Sequence, residues 1–242
     1  MEYRFSGKSG LQLPLVSLGL WHNFGSEDPF DVARAMLLHA WDKGVTHFDI
    51  ANNYGPAPGT AEMTFGRVLR EDLLAHRDEM IVSSKAGYWG WDGPYGNGGS
   101  RKYMIASCDQ SLKRTGLEYF DIFYSHRYDP QTPIEETMQA LVDIVRAGKA
   151  LYAGISNYPA DKQKECYDYL SAAHVPCVIS QYKASIAFPQ TLEENLPVAN
   201  ANGSGFICYS PLAQGLLTNR YLNGIPAGSR ASKNVFLHPE QV

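Results

Sequence analysis

The fold class this sequence predicts is α/β, a (β/α)8 TIM barrel with an N-terminal hairpin, in one domain spanning residues 1–242. Three observations predict it. Seven apolar, strand-like segments alternate with helix-like ones along the chain. From the second segment onward their starts lie 34, 39, 31, 27 and 29 residues apart, the length of one repeated βα unit. No G-x-G-x-x-G follows the first of them, which disfavours an open, doubly wound sheet.

The elements follow in order. Tyr3–Phe5 and Leu11–Leu13 flank a Gly7–Gly10 turn and predict a hairpin. The strand cores are then Leu15–Leu20, Thr46–Ala51, Met80–Ser84, Tyr119–Ser125, Ala150–Ile155, Cys177–Gln181 and Phe206–Tyr209. Pro29 opens a helix in which Val32, Met36 and Ala40 recur at helical spacing as a core-facing stripe, and Gly44 closes it. Ser100 caps a helix that stops near Gly116. Thr132-Pro133-Ile134-Glu135 reads as a capping box, followed by a stripe of Met138, Leu141, Val142 and Val145 that ends at Gly148. Pro197 lies inside the helical pattern Thr191–Asn200 and is expected to break or shorten it. After Tyr209 a Gly/Pro-rich segment runs to Val242 without an eighth strand and helix. The expected barrel is therefore one βα unit short: either the sequence is cut short, or a partner or a rearrangement covers its two edges.

Composition narrows the function classes. The 21 basic and 25 acidic residues give a net charge of -4 with no polybasic arm, which argues against nucleic-acid or membrane-surface binding. No apolar run approaches the roughly 18 residues of a membrane span, and Met1–Phe5 lacks the apolar core of a secretion signal. Cys108, Cys166, Cys177 and Cys208 show no C-x-x-C pair and no metal-ligand spacing. They read as small apolar fillers in a reducing, cytoplasmic compartment, and no metal is expected.

Function is sought where the loops after the strands gather, because barrel active sites are built there. Four titratable residues fall at those ends: Asp49 in Thr46–Ala51, Tyr54 in the loop after it, Lys85 after Ser84, and His126 after Ser125. Alternation turns Phe48 and Ile50 toward the helices and Asp49 inward. A buried carboxylate or ammonium alone is costly, so Asp49 and Lys85 are expected to pair. Lys85 would stabilise the Tyr54 phenolate and lower its pKa from about 10, making it a general acid toward an oxygen that becomes an alkoxide. His126 could donate a hydrogen bond to the same oxygen.

These residues carry a resemblance. Phe48-Asp49-Ile50-Ala51-Asn52-Asn53-Tyr54-Gly55 resembles the aldo-keto reductase signature around its aspartate and tyrosine, and Ser84-Lys85 and Ser125-His126-Arg127 resemble its lysine and histidine segments. Gly93–Gly96, Gly154-Ile155-Ser156-Asn157, Gln181 and Tyr209-Ser210-Pro211-Leu212 extend the likeness over nearly the whole chain. Within the family it is similar to the branch of bacterial L-glyceraldehyde 3-phosphate reductases and potassium-channel β subunits.

The resemblance implies hydride transfer from NADPH to a small carbonyl substrate, phosphorylated aldehydes included. Asp49, Tyr54, Lys85 and His126 fall on its catalytic positions. Ser156, Asn157 and Gln181 match contacts to the nicotinamide carboxamide, and Tyr209 matches the aromatic stacked on the ring. Ser210, Pro211, Leu212, Ala213 and Gly215 match the pyrophosphate loop, and Arg220 and Arg230 match cations near the phosphates. Trp21 is carried as a cofactor contact and, with His22, Tyr88, Trp89 and Trp91, as a pocket wall. The relatives also imply a homo-oligomer. Two other readings stay open: a nucleotide-sensing regulatory subunit, and an incomplete copy that holds cofactor weakly.

Overall fold

A computed structural model describes residues 1–242. The hairpin pairs β1 (Tyr3–Phe5) with β2 (Gln12–Pro14) antiparallel, with Tyr3 opposite Pro14. The remaining strands form one parallel sheet in sequence order: β3 (Leu18–Gly19), β4 (His47–Asp49), β5 (Ile81–Ala86), β6 (Phe120–Ser125), β7 (Ala150–Ser156), β8 (Cys177–Lys183) and β9 (Gly205–Tyr209). The helices between them are α1 (Phe30–Asp42), α2 (Thr60–Val68), α3 (Arg101–Thr115), α4 (Ile134–Arg146), α5 (Ala160–Ala172) and α6 (Gln190–Ala201). A last short helix, α7 (Arg230–Lys233), lies in the segment after β9. None of the helices is long and apolar enough to cross a membrane.

The sheet curls. In a flat sheet β4 and β8 would stand about 19 Å apart, four strand spacings of about 4.8 Å. Instead Gln181 on β8 donates to Asp49 on β4 at 3.0 Å, so the strands wrap around a shared interior, as the barrel class requires. β3 and β9 are the two edges of the sheet.

Two cores result from strand alternation. Outward residues such as Phe48, Val82, Phe123 and Ala153 join Leu37, Phe65, Met104, Leu141 and Leu170 of the helices in a cluster of 34 buried residues. Inward residues Ile122, Tyr124 and Ile179 meet Leu11 and Leu13 of the hairpin in a smaller cluster that plugs the lower end of the curl. The hairpin is tied there by Ser6 Oγ, which donates to the Val178 carbonyl at 2.8 Å.

Local signals decide most helix ends. Ser100 Oγ accepts from the Tyr103 amide at 3.2 Å, and Gly116 stops α3 in the left-handed conformation. The structure corrects four expectations. The Thr132 hydroxyl turns to Asp129 Oδ2 at 2.7 Å, so the capping box does not form and α4 starts behind Pro133. Along α1 the buried face is Ala33 and Leu37, while Val32 is exposed, because α1 flanks the β3 edge and has a neighbouring helix, α2, on one side only. Within Leu15–Leu20 only Leu18 and Gly19 pair with β4, and Leu15 and Val16 remain exposed on the edge. α6 runs unbroken through Pro197, since Pro197 and Glu193, whose carbonyl loses its partner, both face water.

Of the cysteines, Cys108, Cys166 and Cys177 are buried thiols, but Cys208 is exposed on the edge strand β9 and fills no core.

Gly154 marks the tightest packing inside the curl. A Cβ there would stand 2.6 Å from the Tyr124 ring and 3.2 Å from Ile179. Gly154→Ala is expected to lower stability by about 1–3 kcal/mol through overpacking, read from the midpoint of denaturant unfolding.

Candidate functional site

The candidate site lies at the carboxyl ends of the parallel strands. β4 and β5 each carry two inward polar residues, His47 with Asp49 and Ser83 with Lys85, all buried. Lys85 has no exposed surface; its Nζ donates to Asp49 Oδ2 at 2.6 Å and to the Ile50 carbonyl at 2.8 Å. Asp49 accepts two further donors, Ser83 Oγ at 2.5 Å on Oδ1 and Gln181 Nε2 at 3.0 Å on Oδ2.

Burial works against the Asp49 carboxylate, yet the Lys85 ammonium, His47 and Ser83 hold its pKa below the ordinary value. Burial pulls the Lys85 pKa down from 10.5, opposed by Asp49. The expected pairing of these two residues is therefore present in the structure.

Tyr54 hangs from the loop after β4. Asn52 fixes that loop: its amide N–H donates to the Lys85 carbonyl at 3.0 Å, and its Nδ2 donates to Tyr103 Oη and Ser107 Oγ at 2.8 and 3.1 Å. The half-buried Tyr54 ring lies with its centroid 5.1 Å from Lys85 Nζ and 5.8 Å from the His126 ring. Its pKa is pushed well above 10, first by burial and then by the Asp49 carboxylate. This corrects the expectation of a lowered phenol pKa. Lys85 Nζ is hydrogen-bonded to Asp49 and the Ile50 carbonyl, and in the free protein burial and the carboxylate outweigh its charge, so Tyr54 keeps its proton.

His126 follows β6 and stands edge-on to Tyr88, ring centroids 4.7 Å apart. Burial, then the nearby Lys85 charge, drives its pKa well below 6.5, so the imidazole is neutral at pH 7. Its Nδ1 is buried with no partner in the protein.

Across the mouth, Ser156 Oγ donates to the Gln181 carbonyl at 2.8 Å, and Asn157 Nδ2 donates to Ser156 Oγ at 3.0 Å and to the His126 carbonyl at 3.1 Å. Tyr209 Oη donates to Asn157 Oδ1 at 2.9 Å. Asp49, Tyr54, Lys85, His126, Ser156, Asn157, Gln181 and Tyr209 are thus linked into one neighbourhood.

The loop Ser210–Gly215 holds Ser210, Ala213 and Gln214 at φ 55, 47 and 62°, a conformation that costs a residue with a Cβ about 1–2 kcal/mol. The amides of Ala213 and Gly215 bond the carbonyls of Ser210 and Leu212 inside the loop. Those of Leu212 and Gln214 take no part in that pairing, and Pro211 has none. Arg220 and Arg230 are exposed, and Arg230 reaches Gln214 Oε1.

Of the aromatic candidates, Trp21 and His22 pack against one another with ring centroids 4.1 Å apart and planes tilted by 40°. Trp89 is exposed, Tyr88 borders His126, and Trp91 turns away to pack on Tyr103 at 4.9 Å.

Four neighbours of the site escaped the sequence reading. Phe236 covers Trp21 and His22 at 4.8 and 4.9 Å, a long-range contact with no local signal. Arg127 bonds the Gly87 carbonyl and Asn97, holding the Tyr88 loop beside His126. His47 and Ser83 precede Asp49 and Lys85 by two residues, and strand alternation alone would have placed them inside.

Comparison with known proteins places the chain in one family. The profile of the Aldo/keto reductase family matches residues 15–238. The chain is 56% identical over 231 residues to the "L-glyceraldehyde 3-phosphate reductase" of Escherichia coli (strain K12), covering 95% of this chain and 67% of that protein. It is 37% identical over 233 residues to a "Probable voltage-gated potassium channel subunit beta" of Oryza sativa subsp. japonica, covering 95% of this chain and 70% of that one.

Two outcomes follow from the buried charges. Lys85→Met leaves the Asp49 carboxylate without its ammonium and should cost about 3–5 kcal/mol of stability, whereas Lys85→Met with Asp49→Leu should cost less than the two single changes summed; denaturant titration of the cycle measures both. The His47 pKa is lowered by burial from 6.5 to about 4, and that of His126 falls in the same direction. Between those pH values the unfolded chain binds more protons, so the melting temperature should fall as pH drops from 6.5 toward 4.

Proposed function

The chain belongs to the aldo/keto reductase family, and on that premise we propose that it reduces small aldehydes or ketones to alcohols with NADPH. The observation that carries this reading is the Asp49–Lys85 pair at 2.6 Å beside a protonated Tyr54 and a neutral His126. Bound in this mouth, NADPH would supply the hydride that adds to the carbonyl carbon.

The residues fit such a ligand. Ser156, Asn157 and Gln181 offer uncharged donors and acceptors suited to a carboxamide, on the ends of two neighbouring strands. The Tyr209 ring, held through its hydroxyl by Asn157, would face the nicotinamide. The Leu212 and Gln214 amides, with exposed Arg220 and Arg230, would meet the phosphates. The unpartnered His126 nitrogen suits a ligand that brings its own oxygen.

Tyr54 then gives its proton to the carbonyl oxygen as the C=O bond becomes C–O–H, leaving a phenolate. Lys85, kept charged by Asp49, stabilises that phenolate from the inner side. His126, neutral and a donor through one ring nitrogen, orients the carbonyl oxygen. A high Tyr54 pKa in the free protein suits this direction of reaction, since the acid must be protonated before it acts. Trp21, His22, Tyr88 and Trp89 would wall the substrate, and we take a phosphorylated small aldehyde as the favoured class, following the relative's name. The buried, reduced thiols support a cytoplasmic setting.

Tyr54→Phe keeps the ring and deletes the proton. NADPH binding, followed by fluorescence titration, should change little, while kcat for a small aldehyde should drop by about 10²–10⁴-fold. Unchanged kcat would remove Tyr54 from the reaction.

A further inference from the structure

Behind Asp49 a line of side chains crosses the interior of the curl, away from the mouth. Ser17 Oγ stands 2.8 Å from His47 Nδ1, His47 Nε2 stands 3.0 Å from Ser83 Oγ, and Ser83 Oγ stands 2.5 Å from Asp49 Oδ1. His47 and Ser83 are fully buried, and the strand registers set His47 level with Ile81 and Asp49 level with Ser83.

The direction of every bond in this line can be deduced. An ionised carboxylate only accepts, so the single Ser83 hydroxyl proton goes to Asp49. Ser83 must then accept from His47, which fixes the imidazole proton on Nε2. Nδ1 is left as an acceptor, and Ser17 donates to it. That tautomer requires a neutral imidazole, in keeping with the lowered pKa that burial gives His47. The ionisable groups facing His47 are Asp49 and Lys85, which act on it in opposite senses.

All three hydrogens point the same way, toward the carboxylate. Aligned bonds in a dry interior polarise one another, and Ser83 holds the one carboxylate oxygen that Lys85 does not use. We propose that His47 and Ser83 are positioning residues: through the chain Ser17–His47–Ser83 they orient Asp49 and thereby fix where Lys85 holds its charge relative to Tyr54. This rests on the reductase reading above. Neither residue faces the ligand mouth; each acts through Asp49.

The test uses three variants and two readouts. Ser83→Ala removes the donor with little change of volume. His47→Gln keeps a side-chain N–H near the Nε2 position, whereas His47→Leu keeps none. With NADPH and a small aldehyde, Ser83→Ala and His47→Leu should lower kcat about 10-fold or more, with KM within about twofold of the unmodified chain. His47→Gln should restore most of kcat, which a purely space-filling role would not produce. Independently of turnover, histidine ¹⁵N spectra of the unmodified chain at pH 7 should show His47 neutral and protonated on Nε2.

Full kcat in Ser83→Ala, or equal losses in His47→Gln and His47→Leu, would overturn the positioning role. A His47 proton on Nδ1 would overturn the direction of the line. Should the unmodified chain fail to turn over any aldehyde while the nitrogen spectrum shows the Nε2 tautomer, the reductase reading fails and the positioning role falls with it. Turnover together with the wrong tautomer would instead sink this inference alone.

Discussion

An ammonium with no exposed surface, held 2.6 Å from a carboxylate in the hollow of a curled sheet, is the constraint around which this molecule is organised. Neither charge tolerates that interior singly. Each is brought there by a neighbouring parallel strand, and alternation then places two more polar residues, His47 and Ser83, directly beneath them. The sheet has to curl for the arrangement to close, because the third donor to Asp49, Gln181, comes from four strands away.

The pair also governs what the groups around it can do. Because Asp49 accepts from Lys85, Ser83 and Gln181, it stays ionised, and its charge is felt by Tyr54 as a force that retains the phenolic proton. The same enclosure and the Lys85 charge keep His126 neutral. One buried contact thus prepares an acid still carrying its proton and a hydrogen-bond donor without charge. Family membership gives those states a use in carbonyl reduction, and the proposed roles of Ser156, Asn157 and Tyr209 follow from their linkage into the same mouth.

Much of this was legible in the sequence. The ~30-residue spacing of apolar segments foretold seven parallel strands in order, and the motif residues Asp49, Tyr54, Lys85 and His126 meet as anticipated. What misled was mostly competition between partners. Thr132 had Asp129 within reach and left the helix uncapped. Pro197 fell on the water-facing side of α6, where a missing hydrogen bond is cheap. The Tyr54 pKa departs from the expected direction because burial, first, and the charge of the same Asp49 that pairs with Lys85 favour the protonated phenol over a cation 5.1 Å from the ring centre. Phe236 over Trp21 joins residues more than two hundred positions apart, and no local pattern announces such a contact.

Everything in the site requires that Lys85 is charged inside the protein and is kept so by Asp49. The most direct test is a pH titration of the Lys85 side chain followed by ¹³Cε chemical shift in selectively labelled protein. Lys85 should be a charged ammonium at pH 7 that loses its proton at a lower pH than a free lysine, as burial dictates, and at a lower pH again in Asp49→Asn. A Lys85 already neutral at pH 7, or one whose titration ignores the loss of the Asp49 charge, would contradict that requirement.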